Sequence, residues 1–370
     1  MKNPFDEETR EDGFVSLAYS ENKLIWPYIK EFFEKPITQV ESQYDYTFGG
    51  SHLREGMARL LRKTCSKQLS KQHLVGTNGA LGVLENLLFS LFNPGDKIAL
   101  LVPYYPQHRV VLTFRNELEV VDVHDFEKLL EAIAARKVAG VLWTNPSNPI
   151  GHVFDSHHVA RLVAACSANR VHLISDEVYA TCVFDSEMIG VLNFCKTPQD
   201  GDYVHVVTGL AKLGFSGAKL GFVYTENPAL VKTLRAMSRL TPVATPSAVY
   251  ATRVLCADEH VVSSLLAQNA TLLRNQYFSV VVELDRARIP YLPSQGGLTM
   301  VLDLRVKRDE KLKSNFGSSD EKKKKKRVHV QSLLLDGQER RSCLKSSFSL
   351  PRSTLPLVVI LDSRSRDFFE

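Results

Sequence analysis

Residues 138–151 read VAGVLWTNPSNPIG and residues 171–179 read VHLISDEVY. Each stretch opens with an apolar run rich in Val, Leu and Ile and then turns abruptly polar. Short runs that are apolar at nearly every position, not at every second one, suit strands buried on both faces. Between them, residues 157–169 space their apolar side chains three and four apart, which is the helical period. Strand, helix, strand in that order predicts a mostly parallel sheet covered on both faces. The alternation continues outward. Apolar runs at 97–102, 118–122, 203–208 and 219–224 predict further strands, and 53–65, 80–92, 126–135 and 228–240 predict helices. The helix at 80–92 meets the stop signal Asn93-Pro94-Gly95-Asp96. Past 225 the pattern turns helical, and a final strand is expected at 298–304.

In such a sheet, ligands bind beyond the carboxyl ends of the strands. There the 138–144 strand runs into Asn145 to Gly151, and the 171–175 strand runs into Asp176, Glu177 and Tyr179. The 203–208 strand leads to Gly209-Leu210-Ala211-Lys212, followed by Gly214, Gly217 and Lys219. Taken singly, each has a plain reading: Asn-Pro as turn punctuation, Asp-Glu as a helix cap, a lysine as a solvated side chain. Together they bring an amide, a carboxylate with a phenol and an amine to one edge. That set suits a ligand with a phosphate, a phenolic oxygen and a pyridine nitrogen, which pyridoxal phosphate combines. Thr77-Asn78-Gly79-Ala80-Leu81 opens a helix with small residues, as a phosphate cradle requires.

Composition narrows the alternatives. A chain of 370 residues that is 44% hydrophobic and 24% charged is globular, neither collagen-like nor disordered throughout. Its longest apolar runs, such as 357–361, are strand-sized and far below the ~18–20 residues of a membrane span, so no membrane partner is expected. Residues 1–10 are polar with both signs of charge, unlike a signal or transit peptide, so the cytoplasm is the expected location. The cysteines at 65, 166, 182, 195, 256 and 343 form no C-x-x-C pair, which favours reduced thiols over zinc or disulfides. The 11 histidines are dispersed and read as surface or core residues, with no metal site expected. Gly214-x-x-Gly217 lacks the full dinucleotide-binding pattern. Six positive charges at Lys322 to Arg327 form one run, without which the net charge of +5 becomes −1. The basic balance is therefore local, and nucleic acid is not an expected partner.

The segments resemble the fold-type I, pyridoxal-phosphate-dependent class I/II aminotransferases, above all their aminocyclopropane-carboxylate-synthase-like branch, over residues 14–305. The resemblance rests on Ser20-Glu21-Asn22-Lys23-Leu24, on Phe48-Gly49 to Leu53-Arg54, and on Pro103-Tyr104-Tyr105-Pro106. Its most specific carriers are Asn145-Pro146-x-Asn148-Pro149-x-Gly151 and Ser175-Asp176-Glu177-x-Tyr179. Residues 293–298, followed by Asp303-Leu304-Arg305, resemble the strand of the family's small domain. It implies an aspartate-aminotransferase-like α/β fold: a large domain with a mostly parallel sheet, plus a smaller α+β domain. The expected divisions are an N-terminal segment at 1–30, the cofactor domain at 31–235, the small domain at 236–306 and an atypical, partly disordered tail at 307–370.

Residue by residue, the resemblance implies that Lys212 forms the Schiff base and shuttles the substrate's α-proton. Asp176 would pair with the pyridine nitrogen, and Asn148 and Tyr179 would bond the phenolic oxygen. Tyr105, in preference to Tyr104, would stack on the ring. Ala80 and Leu81 N–H groups with Lys219 would hold the phosphate. Glu21, Tyr105 and Asn148 would face the amino-acid substrate. A homodimer is implied, with Tyr44 or Tyr46 reaching the other subunit's phosphate. Transamination is the first expectation. Ring-closing elimination as in the synthases, β-elimination by a C–S lyase, and a catalytically silent binding protein are the alternatives.

The chain departs from the family pattern at three places. The usual Ser-x-Ser-Lys is Gly209-Leu210-Ala211-Lys212. The phosphate cation is Lys219, seven residues beyond Lys212, where the family has an arginine at eight; a lysine offers no bidentate fork. Past Arg305, no motif singles out Arg352, Arg364 or Arg366 as the clamp on the substrate's carboxylate.

Overall fold

The computed structural model describes residues 20–43 and 45–303, and the backbone of a strand at 357–361. The strands are β1 Leu74–Thr77, β2 Lys97–Leu101, β3 Glu119–Val123, β4 Gly140–Thr144, β5 His172–Asp176, β6 Val204–Gly209, β7 Gly221–Thr225, β8 Thr299–Asp303 and β9 Leu357–Leu361. The helices are α1 Trp26–Glu34, α2 Ser51–Leu61, α3 Ala80–Leu91, α4 Pro106–Thr113, α5 Phe126–Ala134, α6 Ser156–Asn169, α7 Pro198–Tyr203, α8 Pro228–Met237, α9 Thr245–Leu255 and α10 Glu259–Arg286.

Seven strands form one sheet in the order β1-β7-β6-β5-β4-β2-β3. Strands β2 to β6 pair in parallel; β7 runs antiparallel to both of its neighbours. Alternate residues feed two apolar layers. Leu142, Ile174 and Val207 join Val83, Leu84 and Leu87 of α3 on one face, while Trp143, Leu173 and Val206 join Val159, Leu162 and Val163 of α6 on the other. This two-sided burial is why the strand sequences are continuously apolar. Side chains such as Leu173 and Leu129 are fully buried, each contributing about 1.5–3 kcal/mol against exposure. Local chemistry agrees with the helix limits. Asp125 and Asp155 cap α5 and α6 by accepting from backbone N–H groups, and Arg170 closes α6 in the left-handed conformation.

The structure shifts the expected elements by a few residues and adds others. Helix α2 ends at Leu61, not at 65. The short β1 has an interior glycine, which weakens the strand signal; a Cβ on Gly76 would meet the Phe222 ring at 2.7 Å. Within the expected tail the structure describes one strand: β9 pairs in parallel with β8, Thr299 opposite Leu357. Five successive apolar residues there form a strand that needs a distant edge to pair with. The remainder of 304–370, including Arg305, Arg352, Arg364 and Arg366, lies outside the described residues, as does Tyr44. No described helix is long and apolar enough to cross a membrane.

A pH dependence is built into the sheet away from its carboxyl edge. His172 Nδ1 lies 3.0 Å from His205 Nε2, and His205 Nδ1 lies 2.8 Å from Thr225 Oγ1. Burial pushes His172 down to about 4 and holds His205 well below the ordinary histidine value. An unfolded histidine binds its proton near pH 6.5, so this stability is complete above that pH and drains away as pH falls toward 4. His172 alone amounts to about 3 kcal/mol. Glu177 acts in the opposite sense, because burial raises its carboxyl to about 7 and stability drops as pH rises toward that value. The expected result is that His172→Gln loses less melting temperature between pH 6.5 and 4 than the parent chain. Parallel acid melting curves would contradict it.

Candidate active site

Register places the chemistry. Thr144 of β4 stands beside Asp176 of β5, which stands beside Val207 of β6, so the turns that follow share one edge. Asp176 is 5% exposed; its Oδ1 accepts from Val178 N at 3.2 Å, and its Oδ2 lies 2.9 Å from His108 Nε2. His108 is buried on α4 one turn beyond Tyr105, and the two rings meet edge-on at 5.5 Å. The Tyr105 phenol is raised by burial first and then by the Asp176 charge, so it faces the same space. Tyr104 turns away: it donates to Asp122 at 2.8 Å and accepts from Arg109.

From the next turn Tyr179 enters, 4% exposed, its oxygen 3.3 Å from Asn148 Nδ2, which donates to it. The Lys212 amine sits 5.0 Å from the centre of the Tyr179 ring and donates to the Ser20 carbonyl at 3.0 Å. Burial lowers the basicity of Lys212; the charges of Asp176 and Glu21 oppose that fall, and Lys219 adds to it. A lysine in this setting yields a proton more readily than one in water. Asn148, Asp176, Tyr179, Lys212 and Tyr105 therefore face one space. Glu21 is exposed at its rim, close enough for its charge to act on Lys212.

The other end of the site is made from backbone. Helix α3 begins at Ala80 after Gly79 at φ 110°, without a side-chain cap. Its first N–H groups have no partner within the helix and carry the positive end of its dipole. Strand β7 presses against this end: a Cβ on Gly221 would lie 2.3 Å from Ala80 N. Just before β7, Lys219 takes a left-handed turn at φ 49°, its backbone 3.9 Å from where a Gly79 Cβ would be. Ala80 and the exposed Lys219 thus flank Gly79, and the missing side chain there leaves an open cradle at the start of α3. An anion suits that cradle; an acid, an amine and an amide–phenol pair suit a pyridine ring with its aldehyde and phenolic oxygen. The donor set fits pyridoxal phosphate.

Packing also accounts for one departure from the family pattern. A Cβ on Gly209 would lie 2.7 Å from the Leu220 carbonyl, so the β6–β7 contact excludes serine there. Tyr46 is 62% exposed, stacked on Phe48. The site also holds contacts that no sequence pattern assigns. His108 is a core histidine, but it touches Asp176, and reading the histidines as surface or core missed this contact. Its signal was the three-residue step from Tyr105 on a helix opened by Pro106. Ser20, Asn22 and Cys182 bond Lys212, and Asn269 bonds Asn22; they come from three separate stretches of chain, which no local pattern links.

Comparison with known proteins agrees with this architecture. The family model described as aminotransferase class I and II matches residues 20–334. The chain is 30% identical to 1-aminocyclopropane-1-carboxylate synthase 11 of Arabidopsis thaliana, covering 82% of this chain and 73% of that protein. It is 30% identical to synthase 4 of Oryza sativa subsp. japonica, covering 82% and 71%. Among solved structures, a mutant aspartate aminotransferase of Thermus thermophilus superposes with a TM-score of 0.66 at 18% identity, covering 79% of this chain and 83% of that one. A methionine aminotransferase of Escherichia coli gives 0.66 at 20% identity, covering 78% and 75%. These likenesses show the aspartate-aminotransferase-like fold.

Proposed function

The chain belongs to the class I and II aminotransferase family, and from that premise we propose that it is a pyridoxal-phosphate-dependent enzyme that transfers the amino group of an α-amino acid. The observation that carries this reading is the buried Lys212 amine, poised over the Tyr179 ring within reach of the Asp176 charge. When bound, pyridoxal phosphate supplies an aldehyde that takes up an amine and a ring that accepts an electron pair from the substrate's α-carbon. Everything else falls to the chain. Lys212 Nζ, made less basic by burial, takes the α-proton and returns it. Asp176, held by His108 and Val178 N, would keep the ring nitrogen protonated. Asn148 and Tyr179 would hold the phenolic oxygen, and Tyr105 would cover the ring. Ala80 and Leu81 N–H groups with Lys219 would hold the phosphate.

Ring-closing elimination is the second reading, favoured by the synthase relatives and by Glu21 beside Lys212. We place the enzyme in the cytoplasm as a homodimer. The free cysteines among the described residues and the exposed Tyr46 support this. Residues 31–235 would form the cofactor domain and 236–306 the small one, where the end of α10 and β8 share their own apolar cluster of Val280, Leu284, Ile289, Met300 and Leu302.

The test is to load the purified chain with pyridoxal phosphate, reduce with borohydride and map the peptides. The modified peptide is expected to contain Lys212; modification elsewhere, or none, overturns the reading. A panel of amino acids then separates the two chemistries. Transfer to a keto acid supports the first reading, and release of the γ-substituent with ring closure supports the second.

A further inference from the structure

Helix α10 carries a buried stripe at Val262, Leu265, Asn269, Leu273, Val280 and Leu284. One member is an amide. Asn269 is 0% exposed, and burial of an amide is costly unless it is bonded. Its Nδ2 donates to the Thr181 carbonyl at 2.7 Å, two residues past Tyr179. Its Oδ1 accepts from Asn22 Nδ2 at 2.7 Å, and the same Nδ2 donates to the Lys212 carbonyl at 3.0 Å. Two residues before Asn22, the Ser20 carbonyl takes the Lys212 ammonium. The stretch 20–22 therefore grips Lys212 at both its carbonyl and its amine, and Asn269 anchors that stretch. We propose that Asn269 is a positioning residue for Lys212: by tying Asn22 and the Thr181 turn to α10, it holds the amine in place over the Tyr179 ring.

The proposal rests on Lys212 being the reactive amine, as argued above. Lys212 is faced by Tyr179 and Ser20, by the Cys182 thiol, and by the charges of Asp176, Glu21 and Lys219, with burial the largest influence on its basicity. Loosening the 20–22 stretch admits water, and because burial is the largest influence on the amine, the solvation gained outweighs the weakened Ser20 and Glu21 contacts that favour its charged form. The amine should then move back up toward the ordinary lysine value.

The experiment uses the full chain without added cofactor. Lys212 is labelled with acetic anhydride across a pH series and followed by peptide mass spectrometry. Asn269→Ala is expected to raise the pH midpoint of Lys212 labelling by about one unit, slowing labelling about tenfold on the acid side of both midpoints. Asn22→Ala should do the same, and the double variant should go little further than the larger single one, because both cut one chain of bonds. Asn269→Ser serves if the alanine variant folds poorly. Asn86→Ala, which removes another buried amide bonded to Thr241, is the control for general destabilisation. It should lower the melting temperature and leave the midpoint alone. If Asn269→Ala and Asn269→Ser lower the melting temperature with the midpoint unmoved or lowered, Asn269 only fills the core and the proposal is overturned. Failure of the parent chain to take up pyridoxal phosphate would count against the proposed function alone, because the labelling needs no cofactor.

Discussion

Lys212→Ala is expected to give a stable, folded protein that forms no borohydride-fixed adduct and turns over at least about 10⁴-fold more slowly. Two losses combine. On the proposed roles, the amine that would take the cofactor's aldehyde disappears, and so does the base that would move the α-proton, an effect of about 10²–10⁴ by itself. Folding should not suffer to match. The lysine is held with lowered basicity by burial, so its charge opposes the folded state. Its removal should leave the melting temperature unchanged or higher, the usual trade of stability for function at a reactive site. Lys212→Arg keeps a cation but offers no amine of ordinary basicity, so it should be as inactive as the alanine variant. Partial recovery of alanine-variant turnover on adding a small primary amine would place the defect in the missing group. Retained adduct and turnover in either variant would refute the role of Lys212.

The second large effect is expected at Asp176. Asp176→Asn keeps the shape and an oxygen for His108 Nε2 or Val178 N but removes the charge. If Asp176 pairs with the ring nitrogen as proposed, that nitrogen would lose its proton and the ring would accept electrons poorly; turnover should fall about 10²–10³-fold with little change in melting temperature. Asp176→Ala strips the buried His108 of its partner as well, which should cost about 1–3 kcal/mol of stability in addition. Steady-state rates and thermal melts of both variants separate the two contributions. A third readout follows from the same charge. Asp176 is one of the groups opposing the burial of Lys212, so its loss should lower the labelling midpoint of Lys212, the reverse of the shift expected from Asn269→Ala. An Asp176→Asn variant with the parent's turnover would remove Asp176 from the chemistry.

How much of this was legible beforehand depends on the range of the cause. Strand ends could be read because each run of apolar residues and the polar turn after it are local. Asp176 stands at the end of β5, and the Asn145 and Lys212 turns follow β4 and β6. The family pattern prefers Tyr105 to Tyr104, and only the fold shows Tyr104 held by Asp122 and Arg109. His108 was within reach of sequence reasoning but was set aside with the other histidines. Asn269 went unread within the helical stretch past 225. Asn22 was quoted as part of the family pattern, but its bond to Asn269 could not be read, since 247 residues separate them. Strand β9 looked like one more apolar run until β8 supplied an edge for it.

The order of residues alone was enough to dictate a parallel α/β sheet and to deliver an acid, an amide and an amine to one edge, because periodicity and turn chemistry act over a few residues. Folding in three dimensions decided which groups press on the amine and lower its basicity, which glycine the β6–β7 contact demands, and which helix anchors the stretch that grips Lys212. Those outcomes depend on exclusion of water and on contacts between distant stretches of chain, and neither exists until the layers have packed.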